Sequence, residues 1–172
     1  MQQEQELPTK HTISVLVDNE PGALSRVIEM FAARGYNIES LSVAEVEACD
    51  KLSRITIITS GTDKIIHHII ALLERLVPVH KVKDLTSSSP HIEREVVLLK
   101  IITDDAESRI QSLKLADRFG AKTIDSTPES FVFELVDTSE KILKLIDLMK
   151  PYGLAEISKT GVTAISKGKD VL

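Results

Sequence analysis

The stretch DNEPG, from Asp18 to Gly22, contains residue types that bind small charged molecules. Gly22 has no Cβ, so a molecule outside the chain can approach its backbone closely. If Pro21 begins a helix, the N–H groups of the first turn lack intrahelical partners and carry the positive end of the helix dipole, which favours a carboxylate. Asn19 and the later Asn37 each add a side-chain carbonyl and amide, which accept from an ammonium group or donate to a carboxylate.

The same residues also have a purely structural interpretation. Asn19 can be a helix N-cap, which stabilises a helix by about 1 kcal/mol. Gly22 can be a small residue at a crowded helix start, and Asn37 can simply tolerate a turn conformation. Three aliphatic side chains nearby in the sequence could line an apolar pocket, namely Leu16, Leu24 and Ile38. With them the polar groups suit a free aliphatic amino acid, although spacing alone favours the structural interpretation.

Catalytic and metal-binding patterns are missing from the rest of the sequence. The neighbouring His67 and His68 point about 100° apart on a predicted helix, and no His-x-x-x-His or Glu-x-x-His spacing surrounds them. Neither a phosphate-binding loop nor GxGxxG occurs. Cys49, the single cysteine, lies in a predicted hairpin turn, where we expect it to be inert. We therefore expect no catalytic residues, no metal site and no cofactor held by this chain, and we predict a binding or regulatory protein.

Composition narrows the classes of partner and compartment. The chain has 172 residues, of which 42% are hydrophobic, enough to fill ordinary cores. Its formal net charge is -5 and only 3% of its residues are aromatic, which argues against nucleic acid as a partner. The start, MQQEQELPTK, is unlike a signal peptide, and apolar runs such as Ile69–Leu73 are too short to span a bilayer. We expect a globular cytoplasmic protein.

Hydrophobic periodicity predicts strand, helix, strand, strand, helix and strand in the first half of the chain. HTISVLV alternates as a strand, Pro21 starts a helix and Gly35 ends it, and NIESLSVAEVE with SRITIITS forms a hairpin. A second helix ends at Pro78, and VHKVKDL is the fourth strand. The expected core-facing residues of the two helices are Leu24, Val27, Ile28, Phe31 and Ala32 in the first, and Ile65, Ile69, Leu72 and Leu76 in the second.

The second half repeats this order after the serine-rich segment TSSSPH, from Thr86 to His91. Its first helix should bury Ile110, Leu113 and Ala116, and LAEISKTGVTAI should be the closing strand. We predict an α+β protein of two ferredoxin-like βαββαβ modules, residues 10–85 and 92–168, joined by a flexible linker at residues 86–91. Because each module is small, we expect an edge or face of its sheet to be buried in a homodimer.

The segment HTISVLVDNEPGALSRVIEMFAARGYNIESLSV resembles the amino-terminal ACT domain of the small, regulatory subunits of acetolactate synthase (acetohydroxyacid synthase). Pro-Gly-x-Leu after the first strand is common to ACT domains, whereas RGYNIESL is specific to this family. The resemblance continues through LSRITI, VHKVKDLT, ERE, FGAKTIDSTPESFVFELV and MKPYGLAEISKTG, and so covers His11 to about Gly168. EVEACDK lacks a common Asp-Pro turn, and Lys159 stands where arginine is usual; these departures put in doubt the details of that turn and the contacts of the closing strand.

The resemblance implies a non-catalytic subunit whose partner is a catalytic large subunit. That partner would use thiamine diphosphate, Mg²⁺ and usually FAD to condense pyruvate with a second 2-oxo acid, the first common step toward valine, leucine and isoleucine. The small subunit would activate it and confer feedback inhibition, most often by valine. In the family two ACT domains pair side by side and hold the effector between them. The effector-binding residues would be Asn19, Gly22, Ala23 and Leu24 of one chain with Asn37 and Ile38 of the other.

One alternative remains open at this stage. The chain could be a stand-alone amino-acid-sensing ACT protein that acts on a different partner. The carboxy-terminal half favours the first interpretation, because ERE and FGAKTIDSTPESF resemble the acetolactate synthase family and a generic sensor would not need them.

Overall fold

The computed structural model describes residues 7–46 and 51–172, and these divide into two compact units. The first comprises Met1–Ile92 together with Val162–Leu172, and the second comprises Glu93–Gly161. The second unit thus begins close to the predicted start of the second module. Contacts group the segment from Val162 onward with the first unit, whereas the sequence assigned residues up to 168 to the second module.

The first unit has the predicted ferredoxin-like order. Its sheet is antiparallel with strand order β2-β3-β1-β4, and α1 and α2 pack on one face. The bounds are β1 (Thr9–Asp18), α1 (Ala23–Ala32), β2 (Ser40–Glu45), β3 (Leu52–Gly61), α2 (Asp63–Leu73) and β4 (Val79–Asp84). The predicted hairpin of β2 and β3 is confirmed, while its turn, with Cys49, lies outside the described residues.

The buried side of each helix in the first unit differs from the prediction. In α1 the buried residues are Ala23, Val27, Met30 and Phe31, while Ile28 is 39% exposed. In α2 they are Ile66, Ile69 and Leu73, and Ile65 is exposed. Each helix contains a pair of adjacent aliphatic residues, Val27-Ile28 in α1 and Ile65-Ile66 in α2. A 3.6-residue period is therefore satisfied whichever member of the pair faces the core. Packing against the sheet selects one of them.

The second unit repeats the topology, with strand order β6-β7-β5-β8 in its sheet. The bounds are β5 (His91–Ile102), α4 (Ala106–Phe119), β6 (Lys122–Ser126), β7 (Ser130–Asp137), α5 (Ser139–Met149) and β8 (Leu154–Lys159). In β7 the alternate residues Phe131, Phe133 and Leu135 share one face and are all buried. In α4 the prediction is wrong for Ile110 and Leu113, because Ser112, Ala116 and Phe119 are the residues that face the core.

Lys159 in the second unit has an acidic neighbour. The Nζ atom of Lys159, at the end of β8, lies 3.2 Å from Oε2 of Glu95 in β5. Glu95 is buried, and a buried carboxylate requires a cation or hydrogen-bond donors. Lys159 supplies the positive charge that this carboxylate requires.

The serine-rich segment predicted as a flexible spacer is anchored instead. Leu85–Ser88 form one helical turn, α3, capped by Asp84, which accepts from the Thr86 N–H at 3.0 Å and from the Ser87 hydroxyl at 2.8 Å. The same carboxylate lies 2.8 Å from Nδ1 of buried His11. A buried polar cluster of this kind fixes the end of β4 to the start of β1. Pattern reasoning missed it because His11 and Asp84 are far apart in sequence.

Residues Val162–Leu172, which we call the strap, lie across the face of the first sheet that α1 and α2 leave uncovered. The buried residues of that face include three with hydroxyl groups and one aliphatic residue: Thr12, Ser14, Thr56 and Ile58. Val162 and Ala164 of the strap are 2% and 5% exposed. The strap contains its own strand, β9 (Thr163–Ser166), so the expectation of one continuous closing strand is wrong. None of the helices in the described residues is long and apolar enough to cross a bilayer.

Candidate functional site

Gly22 forms the turn that the sequence singled out. Its φ of 90° and ψ of -10° place it in the left-handed region, which glycine adopts without steric cost. It is the N-cap residue of α1, where no side chain caps the helix, and the first turn contains no acidic residue. A Cβ built on Gly22 would have nothing within 4 Å. The space beside Gly22, at the positive end of α1, is therefore open to another molecule.

Asn19 is not the helix cap, so its interpretation as an N-cap is wrong. It lies just after β1, where its N–H donates to the carbonyl of Lys51 at 2.6 Å. Its side-chain Nδ2 donates to Oε1 of Glu45, the last residue of β2, also at 2.6 Å. The turn before α1 is thus joined to β2 and to the residue preceding β3. Both the Asn19 and Glu45 side chains are exposed.

Asn37 and Ile38 precede β2 and are not part of it, which corrects the expectation that the strand starts at Asn37. The backbone carbonyl of Asn37 accepts from the Thr59 hydroxyl at 2.7 Å, which leaves its exposed side-chain amide to meet other molecules. Ile38 is half-buried and packs against the first core. One side of Ile38 is thus fixed by the fold and the other remains accessible.

The two groups of predicted site residues lie at opposite ends of α1. The helix has 10 residues, which corresponds to about 15 Å along its axis. A free aliphatic amino acid is too short to reach from the Gly22 turn to Asn37 of the same chain. Among the remaining candidates, Ala23 is buried and its N–H donates to the carbonyl of Glu20 at 3.2 Å, and Leu24 packs against the same core as Ile38.

Leu16 does not line this site. It lies on the opposite face of the sheet from the core residues Val15 and Val17, because successive side chains of a strand point to opposite faces. The predicted apolar wall is therefore reduced to Leu24 and Ile38.

The segment that contains Asn37 also contains one carboxylate, that of Glu39. The pKa of Glu39 is lowered, first because the Ser60 hydroxyl donates to its carboxylate and then because of Lys10, whose Nζ lies 3.2 Å away. Glu39 is thus ionised at neutral pH. Glu45, the last residue of β2, places a carboxylate at the other end of that strand, next to Asn19. Sequence reasoning missed Glu45, because only strand pairing brings it next to Asn19.

The edge of the first sheet carries exposed apolar side chains. β2 is the edge strand, and its Val43 is 43% exposed. Ile28 of α1 is also exposed. An edge strand has unpaired backbone groups, which another strand can satisfy. The edge next to Asn37 therefore has the features of a pairing surface.

Comparison with known proteins gives a consistent result for both units. The family model "AHAS small subunit-like ACT domain" matches residues 13–81, and "Small subunit of acetolactate synthase" matches residues 94–168. The chain is 41% identical over 159 residues to the probable acetolactate synthase small subunit of Archaeoglobus fulgidus, which covers 92% of this chain and 98% of that protein. The chain belongs to the acetolactate synthase small-subunit family.

Two further members show that the likeness extends over sequence and structure. The acetolactate synthase small subunit of Aquifex aeolicus is 39% identical, with 92% of this chain and 81% of the relative covered. The crystal structure of the small subunit from Thermotoga maritima superposes with a TM-score of 0.84 at 33% identity, covering 94% of this chain and 99% of that one. The ACT-domain match contains every candidate site residue, and the second match extends into the strap.

Proposed function

We propose that this chain is a non-catalytic regulatory subunit of acetolactate synthase. It binds the catalytic large subunit, which carries thiamine diphosphate, Mg²⁺ and FAD, and raises the rate at which that subunit condenses pyruvate with a second 2-oxo acid. The observation that carries the proposal is the near full-length match to small subunits, combined with an ACT-type first module. The described part of the chain has no group of three His, Cys, Asp or Glu residues placed to hold a metal ion.

The proposed effector is a branched-chain amino acid, with valine the first candidate. Its carboxylate binds the N–H groups of the first turn of α1, which Gly22 leaves open, and Asn19 orients it. Asn37 of the other chain accepts from the ammonium group, and Leu24 and Ile38 contact the aliphatic side chain. Charge-assisted hydrogen bonds of roughly 1.5–3 kcal/mol each suffice for a metabolite sensor with a dissociation constant between micromolar and millimolar.

Two chains are needed to complete this site, because Gly22 and Asn37 lie at opposite ends of α1. We propose a homodimer in which the β2 edges pair side by side. Sedimentation at micromolar concentration is expected to show a dimer, and effector should shift the equilibrium further toward it by mass action. A stable monomer that binds valine with full affinity would contradict the shared site.

Inhibition follows from linkage between the effector site and the catalytic subunit. Valine biases the assembly toward the state that it binds more tightly, and by no more than the difference in its affinity for the two states. The catalytic subunit is active in the other state. The effector site therefore needs no contact with the reaction centre.

An activity assay tests the proposal directly. The catalytic subunit alone should show low acetolactate formation, addition of this chain should raise it severalfold, and valine, leucine or isoleucine should reverse part of that increase. The chain alone with pyruvate should form no acetolactate. If amino acids bind the chain but the catalytic subunit is unaffected by it, the alternative of a stand-alone ACT sensor with another partner is favoured.

A further inference from the structure

The strap is hydrogen-bonded to the strand that follows the proposed effector residues. The Ser42 hydroxyl donates to the carbonyl of Val162 at 2.6 Å, and the N–H of Val162 donates to the Ser40 hydroxyl at 2.8 Å. Ser40 and Ser42 are two residues apart on β2 and therefore lie on the same face. Val162 is nearly fully buried. Ser40 is only two residues beyond Ile38, so the strap is attached where β2 leaves the site.

Thr160, two residues before Val162, is hydrogen-bonded within the second unit. The N–H of Thr160 donates to the carbonyl of Val96 in β5 at 3.0 Å, and the N–H of Val96 donates to the Thr160 hydroxyl at 3.0 Å. Gly161 alone separates Thr160 from Val162 in the sequence. Two residues span at most about 7 Å when fully extended. This connection, Thr160-Gly161-Val162, has little slack, and we call it the tether.

We propose that the tether carries the effector signal from β2 to the second unit, and that Ser40 and Ser42 are the residues that position it. The inference rests on the proposed effector site at Asn37 and Ile38. A ligand held by these residues biases the position of the start of β2, and the two serine hydroxyls move Val162 with it. Because the tether is short and Thr160 is bonded to β5, the second unit responds. Coupling of this kind requires two differently bonded arrangements, and it is lost when the connection is slack.

The sharpest test lengthens the tether without touching either of its anchors. Two glycines are inserted between Gly161 and Val162 of the full chain, and the variant is combined with the catalytic subunit. Valine binding, measured by calorimetry, should stay within about twofold of the unmodified chain, whereas the valine concentration for half-inhibition should rise by about tenfold or more. The same insertion between Gly168 and Lys169 leaves Val162 and its two serine contacts in place and can alter only the contacts of Asp170 and Val171 with Lys83 and Lys81. It is the matched control and should change neither quantity.

A second variant removes the hydrogen bonds and keeps the tether length. Ser40→Ala with Ser42→Ala should show the same separation of binding from inhibition, and Ser42→Thr, which retains a hydroxyl, should recover most of the inhibition. Ser126→Ala, an exposed serine of β6, is the control for a serine substitution. Circular dichroism establishes that each variant is folded before it is assayed.

The outcomes distinguish this inference from the proposed function. Full inhibition in both the insertion and the double-alanine variants overturns the tether. Loss of valine binding together with inhibition also overturns it, because the serines would then belong to the effector site itself. If the unmodified chain binds none of the three amino acids, the proposed effector function is contradicted. The proposed role of the tether, which rests on it, is then contradicted too.

Discussion

Replacing Gly22 with aspartate is expected to abolish inhibition by valine while activation of the catalytic subunit persists. A Cβ at Gly22 meets nothing within 4 Å, so the new carboxylate fits and lies where the effector carboxylate is proposed to bind. Two carboxylates about 4 Å apart near a protein surface repel by roughly 4 kcal/mol. Valine affinity should therefore fall by more than about a hundredfold. Calorimetry measures the binding, and acetolactate formation at increasing valine concentrations measures the inhibition.

Two controls separate charge from backbone strain in this experiment. Gly22→Ala places a side chain at the same φ of 90° without adding charge. Gly120→Asp adds the same side chain at another glycine with positive φ, 74°, where a Cβ also meets nothing within 4 Å. Both controls should retain most of the valine response. A Gly22→Asp subunit as sensitive to valine as the unmodified chain would show that the effector binds elsewhere.

Replacing Gly153 with alanine is expected to destabilise the second unit by about 3 kcal/mol, the sum of left-handed backbone strain and overpacking. Gly153 has a φ of 87°, and its Cβ would lie closer than 3.0 Å to the carbonyl oxygen of Ile102. That carbonyl belongs to β5, whose last N–H also donates to the Gly153 carbonyl at 2.9 Å. Neither backbone can move without disturbing the sheet.

Amide hydrogen exchange locates this effect, because a two-unit chain has no single unfolding free energy. Protection of the slowest amides in β5 and β7 should fall by about a hundredfold, while those in β1 and β3 keep their protection. Gly120→Ala is the control, since this glycine lies in the same unit with a similar φ of 74° but its Cβ meets nothing within 4 Å. Equal losses in the two variants would mean that backbone conformation, and not the contact with Ile102, is responsible.

The order of strands and helices was predictable because local signals mark nearly every boundary. Pro21 and Gly22 separate β1 from α1, and Gly120 ends α4 in the left-handed conformation. The rotation of each helix was not predictable. Val27 and Ile28 are adjacent aliphatic residues, and the choice between them depends on the sheet beneath the helix, which no window of neighbouring residues contains.

The part of the candidate site that is formed by residues close in sequence was predictable. Gly22 and its open helix terminus follow from five consecutive residues and from glycine stereochemistry. Glu45 enters the site through pairing of strands, and the strap reaches β2 across a separation of 120 positions between Ser42 and Val162. Contacts at such distances depend on the completed sheet, so turn chemistry and periodicity give no information about them.

The position of the strap also determines when the first unit can be completed during synthesis. The helices that cover one face of its sheet are translated early, but the residues that cover the other face follow only after the whole second unit has emerged from the ribosome. Until then the hydroxyl-rich surface around Ser14 and Thr56 remains hydrated and the first unit is finished on one side only. Closure over so long a separation is slow, so the second face of this sheet is covered well after its helical face.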